Sequence, residues 1–125
     1  MLLAAFWMHP HASGMGTHRQ LGLSQCGSLT RTGWPCPTCG MTTSVTAMAH
    51  GQAWPAWKAQ PAGVVLFLAA MTLAVVHTVA FASSVEISKL FRPRLAWLLI
   101  GLGVLLAGWT WKLVAGAAAG QLPLR

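Results

Sequence analysis

The sequence predicts an all-α integral membrane protein with two transmembrane helices, and three observations support this fold class. Apolar residues make up 55% of the chain and charged residues 7%, against roughly 25% charged residues in soluble proteins. Two uncharged stretches, residues 63–82 and 95–111, fall within the roughly 17–25 residues of a transmembrane helix, and the first alone crosses a hydrocarbon core of about 30 Å. All three cysteines and four of the five histidines precede the first stretch, which predicts a Cys-rich loop ahead of the membrane.

Residues 1–8, MLLAAFWM, form an apolar segment that is too short to span a membrane. The segment also lacks the basic start of a signal peptide. Two interpretations remain open: an interfacial segment, or the last turns of a truncated first transmembrane span.

Residues 9–60 form the predicted Cys/His/Gly-rich loop together with a short helix. Glycine and proline are frequent in residues 10–40, so an irregular loop is expected there. Thr42 or Thr43 is the expected N-cap of a short interfacial or re-entrant helix that runs to about His50. The apolar side of this helix is predicted to consist of Val45, Met48 and Ala49.

The two predicted transmembrane helices cover residues 61–82 and 95–119, followed by a tail at residues 120–125. Pro61 suits the first turn of the first helix, where a missing N–H costs little. The second helix extends past Lys112 if that side chain reaches the headgroups. Tryptophans near the ends of the second helix fit the membrane interface: Trp97, Trp109 and Trp111.

The loop between the helices, residues 83–94, carries three cations, Lys89, Arg92 and Arg94, against Glu86. The positive-inside rule places such a loop in the cytoplasm. The Cys-rich segment is therefore predicted on the non-cytoplasmic side.

The charge pattern excludes several classes of function. Glu86 is the single acidic residue of the chain, so mechanisms with paired carboxylates and carboxylate cages for Ca²⁺ or Mg²⁺ are not expected. The net charge of +7 comes from eight scattered Lys and Arg residues. Because these cations form no dense patch, no nucleic-acid partner is expected.

The Cys-Pro-Thr-Cys motif at Cys36 and Cys39, with Cys26 upstream, leaves a redox interpretation open. A Cys-x-x-Cys pair at a helix start can form a disulfide, and the helix dipole lowers the thiol pKa. A thioredoxin-like enzyme would need a βαβ fold, which the sequence does not predict. A structural Cys36–Cys39 disulfide without catalytic activity is the other form of this interpretation.

A zinc site and a purely structural turn are the other two interpretations of the motif. Zinc requires a fourth ligand beside the cysteines, and the predicted set is Cys26, Cys36, Cys39 and His50. His9, His11 and His18 are alternatives to His50. In the structural interpretation the cysteines only pack in a re-entrant turn at the membrane surface.

Within the spans, His77, Gly101 and Gly108 are predicted to serve helix packing. A neutral imidazole at mid-membrane can bond to a neighbouring helix or to Thr110, although an ionisable group there is also a default candidate for function. Small residues on the second span allow close approach of another helix. A channel or transporter has little support, because the spans lack a polar lining.

The segment around the cysteines resembles the domain of unknown function 2752 family of small bacterial membrane proteins. The resemblance covers roughly residues 9–85 and departs from the family at three positions, since Thr43 replaces Arg, Gln52 replaces Asp and Gln60 replaces Asn. An Arg/Asp clamp between the helix and the loop is therefore absent. The matching positions are Cys26, Gly33, Cys36, Pro37, Cys39, Gly40, Thr42, Gly51 and Pro61.

The expected function is that of a non-catalytic accessory or scaffolding subunit of a larger membrane assembly, in a bacterial inner membrane. Its expected partners are membrane lipids and other membrane-protein subunits or further copies of itself, with no cofactor. The alternative is a membrane thiol-redox or zinc-binding protein that uses the Cys-Pro-Thr-Cys motif with Cys26 and a histidine. The resemblance implies architecture and a marked motif but no reaction.

Overall fold

A computed structural model describes residues 2–84, 95–120 and 122, and all regular structure in this part of the chain is helical. The all-α prediction is confirmed. A 3₁₀ helix at Thr17–Leu21 lies between the first two α-helices. The α-helices are α1 (Leu2–Trp7), α2 (Gly27–Thr32), α3 (Met41–Ala49), α4 (Ala53–Ala59), α5 (Pro61–Ala82) and α6 (Leu95–Ala118).

Helices α5 and α6 are each long and apolar enough to cross a membrane, as predicted. Helix α5 begins at Pro61 in its first turn and has the predicted bounds, whereas α6 ends at Ala118, one residue before the predicted end. The side chains of both helices are largely exposed to the surroundings of the protein. Residues 85–94, with the cations of the predicted cytoplasmic loop, lie outside the described residues.

Helix α3 occupies the region of the predicted short helix, but its most buried side is not the predicted apolar one. The helix begins after Gly40, whose φ of 87° is left-handed, so neither Thr42 nor Thr43 is the N-cap. The buried residues are mostly small and polar because α5 packs very closely. A Cβ atom on Gly63 would lie 2.7 Å from the Cβ of Ser44. The buried set is Thr43, Ser44, Thr46 and Ala47.

The expected irregular loop at residues 10–40 contains two short helices, the 3₁₀ helix and α2, and that part of the prediction is wrong. Gly22 and Gly33 adopt φ values of 75° and 74° and end these helices, as glycine commonly does at a helix C-terminus. Helix α4 was also not predicted, and it tolerates Pro55 because this residue lies in its first turn.

The short helices assemble around α3, which contacts α1, α4, the 3₁₀ helix and the start of α5. Small side chains fill the interior, and those of Ala47 and Ala56 are fully buried. Small residues let helix axes approach closely. Much of this N-terminal half therefore packs against the first turns of α5.

Helices α5 and α6 form a staggered pair. Gly108 of α6 packs against Ala62 at the start of α5, where a Cβ on Gly108 would lie 3.0 Å from the Ala62 nitrogen. With a rise of about 1.5 Å per residue, the part of α6 after Gly108 extends about 15 Å past the start of α5. This part runs beside the Cys-rich segment, and Trp109 Nε1 donates a 2.9 Å hydrogen bond to the Pro35 carbonyl.

Candidate metal centre

The three cysteine side chains converge on one point. The Sγ atom of Cys36 lies 3.3 Å from that of Cys26 and 3.2 Å from that of Cys39. All three sulfur atoms lie within 4.8 Å of one another. The structure therefore brings together residues that are ten and three positions apart in the sequence.

Local backbone geometry places each cysteine. Cys26 precedes the first residue of α2 as its N-cap, and a tight turn brings the Cys39 N–H to 3.0 Å from the Cys36 carbonyl. Gly40 follows with a left-handed φ of 87°. A Cβ on Gly40 would lie only 2.5 Å from the Ala59 carbonyl oxygen, so both conformation and close packing require glycine there.

Side chains from outside the motif hold its carbonyl groups. Lys112 of α6 donates from Nζ to the carbonyls of Cys39 at 2.9 Å and Ala59 at 2.7 Å. Gln60, which is fully buried, donates from Nε2 to the Pro37 carbonyl at 3.0 Å. The cysteine turn is therefore fixed to α6 and to the α4–α5 junction.

The thiols of Cys26 and Cys39 differ in acidity. The pKa of Cys26 is lowered to about 7, chiefly because the backbone N–H of Leu29 at the start of α2 donates to its sulfur. Burial and, to a smaller extent, the hydrogen bond with the Cys36 thiol together raise the pKa of Cys39 to about 12. Near neutral pH the cluster thus offers one readily ionised thiol and one that stays protonated.

The cluster faces a cleft of about 390 Å³, and His18 lines the same cleft. Neither His18, whose Nε2 lies 3.2 Å from the Ser24 carbonyl oxygen, nor the predicted ligand His50 is part of the sulfur group. The His50 Nε2 lies 2.8 Å from the Met8 carbonyl oxygen, and the His50 ring stacks on that of His9 at a centroid distance of 6.2 Å. Of the five histidines, all of them in described residues, His18 alone lines this cleft.

The residues predicted to serve helix packing have different surroundings. His77 Nδ1 lies 2.7 Å from the Leu73 carbonyl of its own helix. Thr110 likewise bonds within α6, so the predicted bond between the two side chains is not formed. Gly108 packs against α5, whereas a Cβ on Gly101 would meet no atom within 4 Å.

Lys112 and Gln60 support the cysteine turn, and the sequence interpretation assigned neither to the site. Lys112 is an ionisable residue inside an otherwise apolar helix, which is a recognised signal of function. It was instead predicted to reach the lipid headgroups. In the sequence, Gln60 stands out only as a departure from the family pattern.

The fold and site together define a class: a helical chain with two helices that could span a membrane and a three-cysteine cluster beside them. Residues 26–74 match the model of the family described as Protein of unknown function (DUF2752). The resemblance seen in the sequence is thereby confirmed over this segment, which contains all three cysteines. No curated protein and no solved structure matches the chain.

Proposed function

We propose that the chain is an integral membrane protein that binds Zn²⁺ through Cys26, Cys36 and Cys39, in a structural rather than a catalytic site. The observation that carries this proposal is the convergence of three sulfur atoms within 4.8 Å. Thiolates are soft ligands that favour zinc over hard cations such as Mg²⁺ and Ca²⁺.

The sulfur positions require only a small adjustment to accept zinc. At a Zn–S distance of about 2.3 Å, tetrahedral geometry sets the sulfur atoms about 3.8 Å apart. The present Sγ–Sγ distances of 3.2 and 3.3 Å must therefore open by about half an ångström. Rotation of the half-buried Cys26 and Cys36 side chains accommodates such a change, whereas the carbonyls held by Lys112 and Gln60 keep the turn in place.

His18 is the proposed fourth ligand, because it lines the cleft into which the cysteines face. A closed Cys₃His set is typical of structural zinc sites. Zinc with three thiolates carries one net negative charge. The ammonium group of Lys112, bonded to the Cys39 carbonyl, and the net charge of +7 favour that anionic centre.

The test is to purify the full chain in mild detergent and to measure bound metal by mass spectrometry. We expect one zinc per chain. His18→Gln should weaken zinc binding at least about tenfold, in the range seen for lost supporting groups. His50→Gln is the matched control, because its ring contacts Met8 and His9, and it should leave zinc binding unchanged.

Thiol counting separates zinc binding from redox chemistry. Release of zinc by a chelator should expose three reactive thiols without any reductant. If instead one thiol is free and reduction raises the count to three, the cluster is a dithiol/disulfide site and the zinc proposal is wrong. Three free thiols with no zinc affinity would remove both functions.

A second proposed role, as an accessory subunit of a larger membrane assembly, is favoured by exposed glycines of α6. Cβ atoms added at Gly101 and Gly103, which lie on opposite sides of the helix, would meet nothing within 4 Å, so neither position has a neighbour among the described residues. Small residues of this kind allow another transmembrane helix to approach closely. Purification from native membranes as a lone monomer would contradict this role.

A further inference from the structure

A second cavity, distinct from the cysteine cleft, lies between the Cys-rich segment and the C-terminal third of α6. Its volume is about 680 Å³. Three tryptophans and two lysines line it, together with small residues of α6. We call it the Trp/Lys groove, and its defining residues are Trp54, Trp57, Lys58, Trp111, Lys112 and Gly116.

The groove carries positive charge without a negative partner among the described residues that line it. Lys112 uses two N–H groups on the neutral carbonyls of Cys39 and Ala59, so one of its three donors is left for a ligand. Lys58 Nζ lies 5.1 Å from the centroid of the Trp54 ring, a cation–π contact that holds the second ammonium group at the groove. Such a groove is complementary to an anion.

The rest of the lining suits an acyl chain. Trp57 and Trp111 keep 42% and 56% of their surface exposed, and indole rings favour the boundary between headgroups and hydrocarbon. Ala115 and Gly116 of α6 form one wall, together with Ala119 just after the helix and the Leu122 side chain, which packs on Gly116. This apolar wall continues the cavity along the end of α6, beside the two ammonium groups.

We propose that the Trp/Lys groove binds one anionic phospholipid. The lipid phosphate lies between Lys58 and Lys112, and an acyl chain follows the apolar wall at the end of α6. This inference rests on the proposed placement of α5 and α6 in a membrane but not on the zinc site. Lys112 links the two sites, because it lines the groove and also donates a hydrogen bond to the Cys39 carbonyl.

The experiment is a lipid titration of the purified full chain followed by native mass spectrometry. Phosphatidylglycerol and phosphatidylcholine with identical acyl chains are compared. We expect phosphatidylglycerol to bind at least about fivefold more tightly, the difference that one lysine near a membrane surface supplies. Lys58→Gln should reduce phosphatidylglycerol binding about fivefold. Arg31→Gln is the matched control, because Arg31 is an exposed cation on α2 outside the groove.

Equal affinity for the two lipids, or equal losses in the Lys58 and Arg31 variants, would overturn the proposal. Lys58→Gln is chosen because Lys112 also holds the cysteine turn, so its loss risks misfolding. Trp57→Ala should weaken binding of both lipids by removing the indole wall. Inorganic phosphate at millimolar concentration should not displace phosphatidylglycerol; displacement would indicate a free-phosphate site instead.

Two measurements on the same preparation separate this inference from the proposed function. Resistance to extraction from membranes by alkaline carbonate tests the membrane placement, and zinc content tests the metal site. Integral, zinc-loaded protein without lipid selectivity contradicts only the groove. Lipid selectivity in protein without zinc contradicts only the metal site.

Discussion

Thr43, Ser44 and Thr46 are buried on α3, and their hydroxyl groups differ in hydrogen bonding. Thr17 Oγ1 donates to Thr43 Oγ1 at 2.9 Å, and Ser44 Oγ donates to the Gln60 carbonyl at 2.8 Å. Thr46 Oγ1 is buried with no partner among the described residues. The Thr17–Thr43 bond also provides a link between loop and helix at the position where the resemblance would place an arginine.

The Thr43 hydroxyl has a hydrogen-bond partner and that of Thr46 has none among the described residues. The same substitution at the two positions should therefore change the free energy of unfolding in opposite directions. Thr46→Val removes an unsatisfied buried hydroxyl and should raise the free energy of unfolding by about 1 kcal/mol. Thr43→Val breaks the bond to Thr17 and should lower it by about 1 kcal/mol. Denaturant unfolding in detergent, followed by tryptophan fluorescence, measures both. Stabilisation by Thr43→Val would contradict the assigned hydrogen bond.

The difference in acidity between Cys26 and Cys39 predicts their order of alkylation in metal-free protein. Because the thiolate is the nucleophile and the pKa of Cys26 is lowered to about 7, its reaction with iodoacetamide should be half-maximal near pH 7. Cys39, with a pKa of about 12 and a buried side chain, should react far more slowly. Peptide mapping by mass spectrometry reports each rate. A Cys26 rate that rises only near the ordinary thiol pKa of about 8.5 would refute the assignment.

At the scale of elements, close contact between α3 and α5 joins the cysteine-bearing half to the long helices. Gly63 lies directly over Ser44, and Ser44 in turn bonds the Gln60 carbonyl at the start of α5. The two helices approach this closely because Gly63 has no side chain and Ser44 has a small one. Enlargement there must move the α3 backbone, because the Cβ of Ser44 cannot rotate away; the flexible Met41 side chain, whose Sδ is the next neighbour, can adjust.

Two glycine substitutions test this contact. Gly63→Ala places a Cβ 2.7 Å from Ser44 and should lower the free energy of unfolding by about 1–3 kcal/mol, as overpacking does. Gly101→Ala meets open space and should be neutral or stabilising by up to about 1 kcal/mol, since alanine favours the helix. Thermal unfolding in detergent compares the two. Equal effects would show that helix propensity, not packing, governs both positions.

The sequence was sufficient for the long helices but not for the short ones. Helix α5 is predictable because an uninterrupted apolar run follows Pro61, and this pattern indicates a transmembrane helix without knowledge of tertiary contacts. Helix α3 buries Ser44 and Thr46, because the close approach of its neighbours allows only small side chains, whether polar or apolar. For the site, the cysteines were identifiable from spacing. The position of His18 in the lining of the cysteine cleft, and the bonds of Lys112 to the Cys39 and Ala59 carbonyls, depend on contacts between residues far apart in the chain.

For the whole molecule, the end of α6 and the start of α5 lie on the same side. Lys112 bonds the Ala59 carbonyl just before α5, so the cysteine cluster, the Trp/Lys groove and the C-terminal part of α6 share one end. With the loop between the spans in the cytoplasm, as the loop cations of the sequence predict, this end faces the opposite compartment.

Reporter fusions test this orientation. Alkaline phosphatase fused at Arg125 should be active, and a fusion after Ser84 should be inactive, because the enzyme needs an oxidising, non-cytoplasmic compartment. A cytoplasmic reporter should give the reverse pattern at both points. The opposite result at Arg125 would invert the topology and place the cysteines in a reducing compartment.

The stagger of α6 against α5 ties the position of the cysteine turn to the tilt of α6. Trp109 and Lys112 hold the carbonyls of Pro35 and Cys39, and both residues lie on the part of α6 that extends past the start of α5. A change in the tilt of α6 would therefore move the backbone at both ends of the Cys-Pro-Thr-Cys turn.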